Sequence, residues 1–92
     1  MKNFKPIQIG DLYFSPFYQP TFNFKNPEDK HYYVSSGFIQ ANVPFVPLEI
    51  VLVDNEIFRI CVLTSEGQKC WISIGKSYLP ETIKPVAELQ NE

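Results

Sequence analysis

The stretch LEIVLVDNEIFRICVLTSEGQKCWISI, residues 48–74, decides the fold. Three runs rich in β-branched and large apolar residues are separated by two short polar breaks, Asp54-Asn55 and Ser65-Glu66-Gly67. Asp and Asn tolerate the left-handed backbone that a two-residue hairpin connection needs. Gly67 suits a three-residue loop, a type I turn closed by a left-handed glycine. The pattern predicts strands over residues 48–53, 56–64 and 68–74, joined as an antiparallel meander.

The turns also predict a register. With Val53 opposite Glu56 and Thr64 opposite Gln68, one face carries Val51, Phe58, Ile60, Val62, Cys70, Ile72 and Ile74. That face is the expected core, because a one-residue slip would turn the whole set to solvent. The other face carries Leu48, Ile50, Leu52, Ile57, Arg59, Cys61, Leu63, Lys69, Trp71 and Ser73. A one-sided sheet would be polar there. Something must therefore cover this second face. The favoured cover is the Pro- and Phe-rich N-terminal segment, and the alternative is a partner's surface.

Upstream of the meander the chain is irregular. Ile7-Gln8-Ile9 alternates, Gly10-Asp11 interrupts, and Leu12-Tyr13-Phe14 resumes. Pro16, Pro20 and Pro27 forbid a helix over residues 15–30 and predict a long loop, with a short extended piece at 21–24. Residues 31–39 read as a strand, and Pro44 and Pro47 bracket a turn or a kinked strand. Downstream, residues 75–80 predict a tight turn or one turn of 3₁₀ helix, and residues 82–88 a short closing strand that Pro85 confines to an edge. Residues 1–6 and 89–92 are expected to fray.

Composition agrees with a β domain. The 92 residues fit one domain, and eight Phe, five Tyr and one Trp suit a pleated, half-buried surface. The expected fold is all-β: a small barrel, or a strongly bent antiparallel sheet of about five strands, with a long aromatic N-terminal loop. The net charge of −2, with Arg59 as the single Arg, argues against gripping a nucleic-acid backbone. No apolar run approaches the roughly 18–20 residues of a membrane span, and the N-terminus lacks a secretory h-region, so a cytoplasmic location is expected.

Residues 67–79, Gly67-Gln68-Lys69-Cys70-Trp71-Ile72-Ser73-Ile74-Gly75-Lys76-Ser77-Tyr78-Leu79, resemble the end of SH3-like small barrels. There a hairpin Gly leads into an aromatic-bearing strand, a 3₁₀ turn with a Tyr, and a short last strand. The resemblance implies a barrel used for protein or nucleic-acid contacts. The acidic loop motif of eukaryotic SH3 domains is missing, and Ser73 stands where a peptide-binding proline is often found. Recognition of proline-rich peptides is therefore not implied.

No catalytic pattern emerges. His31 is the only histidine, Cys61 and Cys70 lie far from it, and no Cys-x-x-Cys spacing occurs, so neither a metal nor a cofactor is expected. In the register above, Cys61 and Cys70 point to opposite faces, which argues against a disulfide and favours packing over nucleophilic roles. The acidic residues fall mostly in turns. The expected function is a non-enzymatic interaction module, contacting another protein or itself. The candidate contact residues are Trp71, Arg59 and Leu48 on the second face, with Phe17 and Tyr18 nearby. The alternative is stacking of single-stranded nucleic acid on Phe14, Phe17, Tyr18, Phe22, Phe24, Tyr32 and Tyr33.

Overall fold

A computed structural model describes residues 7–24, 26–29 and 34–87. Its strands are β1 (Tyr13–Phe14), β2 (Gln19–Asn23), β3 (Val34–Ile39), β4 (Phe45–Val53), β5 (Ile57–Thr64), β6 (Lys69–Gly75) and β7 (Lys84–Pro85). A 3₁₀ turn, Lys76–Tyr78, and a one-turn helix α1, Leu79–Thr82, link β6 to β7. All strand pairs are antiparallel, in one sheet of order β3-β2-β6-β5-β4-β1-β7. The all-β expectation and the central meander hold. The strand count is seven rather than about five, because β1 and β7 are only two residues each and part of the expected loop pairs as β2.

The second hairpin takes the expected register, with Val62 opposite Cys70, Ile60 opposite Ile72 and Phe58 opposite Ile74. Gly67 closes its turn at φ 82°, and Thr64 N–H donates to Gln68 O at 2.8 Å. The first hairpin is shifted by one residue: Val53 faces Ile57, Leu52 faces Phe58 and Ile50 faces Ile60. Glu56 is absorbed into the turn. Its N–H donates to Val53 O, while its carbonyl accepts from Lys76 N at 2.7 Å instead of pairing with β4. Ile50 thereby joins the core side, and Val51 moves to the face of Arg59. A bulge between Pro47 and Glu49 leaves Leu48 as an extra residue in β4.

Proline did not exclude a strand over residues 19–23. Pro20 lies opposite Phe38 of β3, and β2 meets β6 only at Phe22 opposite Trp71. At Pro20 the strand thus has a partner on one side, which is where proline is tolerated.

One core joins the sheet across almost its whole width. Ile39 of β3, Ile72 and Ile74 of β6, Ile60 and Val62 of β5, Phe45 of β4 and Tyr13 of β1 belong to a single buried cluster, completed by Leu79 and Ile83. In a flat sheet β3 and β1 would lie about 24 Å apart at a strand spacing of about 4.8 Å. Sharing a core requires the sheet to curl strongly. The fold is compact, with a radius of gyration of 12.6 Å.

Candidate functional site

The second face of β5 and β6 is covered from within the chain around Arg59 and Trp71, while Leu63 and Lys69 at its end stay exposed. Arg59 and Ser73 lie side by side there, as do Cys61 and Trp71. After β2 the chain turns at Asn26, whose carbonyl accepts from Asp29 N and whose Oδ1 accepts from Glu28 N at 3.1 Å. This turn presents two carbonyls to Arg59. Arg59 Nη1 donates to Pro27 O at 2.9 Å and to Asp29 O at 2.6 Å. The guanidinium lies 4.2 Å from the centre of the Phe24 ring. Phe24 in turn meets Trp71 edge-to-face at 5.9 Å and Phe22 at 5.9 Å. Hydrogen bonds from a charged donor each contribute about 1.5–3 kcal/mol, and a desolvated cation–π contact roughly 2 kcal/mol. Arg59 is 3% exposed, and its Nε has no hydrogen-bond partner among the described residues.

Of the candidate contact residues, Arg59 and Trp71 do come together, through Phe24, and Arg59 is in addition bonded to the 26–29 turn. Leu48 sits in the β4 bulge and is exposed. Phe17 and Tyr18 lie elsewhere, in the β1–β2 connection, and both are exposed. The buried Ser15 organises that connection. Its Oγ accepts from Phe17 N and from Gln19 Nε2, each at 3.1 Å, and its carbonyl accepts from Asn42 N at 2.7 Å. Held this way, Tyr18 meets Phe38 of β3 edge-to-face at 5.6 Å, and both rings stay about 60% exposed (62% and 60%).

Beside Phe38 opens a cleft of about 750 Å³. Thr21 and Asn23 of β2 and Cys70 of β6 line it, facing Val43 and the turn from Thr64 to Gln68. Thr21 Oγ1 and Ser36 Oγ share a hydrogen bond of 2.9 Å across β2 and β3. The sequence reading missed Phe38 and this cleft. Phe38 was placed in a strand, but nothing in its neighbours indicated which face would be left open.

Among the aromatics considered for base stacking, Phe14 is buried, Phe22 and Phe24 pack on the second face, and Tyr32 and Tyr33 lie outside the described residues. His31 also lies outside them. Burial pushes both thiols up from the ordinary cysteine range. For Cys61 the charge of Lys69 opposes this and Glu49 reinforces it, and for Cys70 the nearby Cys61 reinforces it. Among the described residues, no three of His, Cys, Asp and Glu converge as metal donors. No helix among them is long and apolar enough to cross a membrane. Compared with known proteins, the chain matches no family model, no curated protein and no solved structure.

Proposed function

We propose that this chain is a non-enzymatic interaction module that binds another protein at the Tyr18–Phe38 rim and the adjoining cleft. The observation that carries the reading is the exposed ring pair at 5.6 Å beside a mixed polar and apolar cleft. Large exposed aromatics at a concavity are the usual anchors of protein interfaces. Phe17, also exposed, extends the rim in sequence. The contact surface thus moves from the Arg59–Trp71 face, which the chain itself occupies, to the opposite end of the β2–β3 hairpin.

We read the fold as an SH3-like barrel whose seam is open. Three features support this: the β4–β5–β6 meander, the 3₁₀ turn carrying Tyr78, and the return of β7 to pair with β1.

The test is affinity capture from the native lysate, with and without nuclease, using the wild-type chain and a Tyr18→Ser/Phe38→Ser variant. Exposed sites of this kind change stability by about 0.5 kcal/mol or less, so the variant stays folded. A protein captured by wild type, resistant to nuclease and lost with the variant supports the proposal. A protein retained by the variant moves the contact elsewhere. Nuclease-sensitive capture would instead favour stacking of single-stranded nucleic acid on the same rings.

A further inference from the structure

The wall of the cleft formed by β3 differs from the wall formed by β2. Successive strand residues point to opposite faces, so a strand that turns one face to a cavity contributes every second residue. β2 does this with Thr21 and Asn23, whereas Ser36, Gly37, Phe38, Ile39 and Gln40 line the cleft consecutively. With the bulged Ser36 and Gln40, beyond the strand's end, set aside, Gly37, Phe38 and Ile39 still take in both faces of β3, which places its edge at the cleft. β3 is the terminal strand of the sheet among the described residues, so this edge carries main-chain groups with no neighbouring strand. Pro20 adds to this. It has no N–H, so its pair with Phe38 suits the non-hydrogen-bonded position, where the Phe38 N–H and C=O turn away from β2.

We infer that an extended, uncharged segment of a partner protein adds to β3 in this cleft as a further strand. The inference rests on the protein-binding reading above and specifies its mode. Main-chain bonds to the β3 edge supply affinity, and the Tyr18–Phe38 rim takes an apolar side chain of the segment. The segment is uncharged because β3 carries no charge and the Thr21 hydroxyl behind it is already bonded to Ser36. Glu66 and Lys69, of opposite sign, are the charged residues lining the cleft. Both lie on the side of the β5–β6 turn, so a charged residue lying directly against β3, which offers no charge of its own, would lose water without gaining a partner. A second copy of the chain fits less well. Its β3 stays bonded to its own β2, and the same bulge at Ser36 on both edges would interrupt a β3–β3 ladder. The far edge, β7, offers two residues, one of them Pro85.

The experiment is selection of a phage-displayed random octapeptide library on the purified full chain, followed by amide exchange with the synthetic winner. Expected are winners uncharged at their central positions that slow exchange of the Phe38 amide. N-methylation at alternate peptide positions should weaken them about tenfold for each hydrogen bond lost. Winners indifferent to N-methylation, whose binding depends on Phe17 or Tyr18, overturn strand addition and leave the protein-binding reading in place. Failure to enrich any peptide overturns strand addition as well, and the Tyr18→Ser/Phe38→Ser capture then decides the wider reading independently.

Discussion

Arg59 joins sequence-distant parts of the molecule through one side chain. It reaches from β5 to two carbonyls about thirty residues upstream and stacks on Phe24. Only a planar fork with several donors combines these contacts, so Lys is not an equivalent. Arg59→Lys and Arg59→Met are each expected to lower unfolding free energy by about 2 kcal/mol, seen as a lower urea midpoint. Trp71 emission should shift to the red as Phe24 leaves it. An unmoved midpoint with unchanged emission would show that Phe24 and the 26–29 turn do not depend on Arg59. The sequence marked Arg59 as unusual, a lone Arg on an apolar face, but could not distinguish a contact residue from an internal clasp. That distinction depends on which carbonyls the loop presents, and carbonyl positions leave no trace in side-chain identity. The cysteines carry a second prediction. A thiol raised by burial keeps its proton in the folded state after the unfolded chain has lost it, so stability falls as pH rises past the ordinary thiol value of about 8.5. Urea midpoints measured from neutral to alkaline pH should show this decline, and replacing Cys61 and Cys70 by Val and Ala should flatten it.

At the scale of the element, hairpin turns carry the information that side-chain alternation alone cannot. Gly67 was legible because its conformation is nearly exclusive to glycine. A Cβ added there meets nothing within 4 Å, so Gly67→Ala isolates the cost of the left-handed backbone. That cost is about 1–2 kcal/mol and should appear in the urea midpoint. A loss near zero would mean that the turn relaxes to another type. The Asp54-Asn55 turn was legible in kind but not in register. Both residues adopt positive φ, 52° and 56°, as a hairpin turn requires. Yet Glu56 gives its carbonyl to Lys76, a residue twenty positions away that no local rule brings into view. Pairing then starts at Ile57, and the β4 side chains from Glu49 to Val53 exchange faces relative to the local expectation. β2 was legible only in part, as a short extended piece over residues 21–24, for a related reason. Pro20 reads as a strand breaker unless one knows that β6 does not reach it.

The whole molecule is a curled sheet with two unequal edges. The curl was anticipated in kind, since a chain this short has one thin core and strands on both sides must share it. Pro85 marked the closing strand as one edge, but that β3 would be the other was not legible, because edge position follows from the complete strand order. β7 is blunted by its two-residue length, Lys84 and Pro85. β3 has six residues, Val34–Ile39, without charge or proline, and among the described residues is guarded only by the bulge at Ser36, opposite the step from Thr21 to Phe22. An edge of this kind pairs with other chains once heating loosens the molecule. The wild-type chain is therefore expected to become turbid near its thermal midpoint as concentration is raised. Ser35→Lys places a charge on an exposed position of that edge and should suppress the turbidity. It should leave the unfolding free energy, measured by urea in dilute solution, within about 0.5 kcal/mol of wild type. Light scattering during heating at several concentrations makes the measurement. If the Lys variant scatters as the wild type does, association proceeds through a surface other than β3, and the protection would have to be sought at the exposed rings of Phe17 and Tyr18.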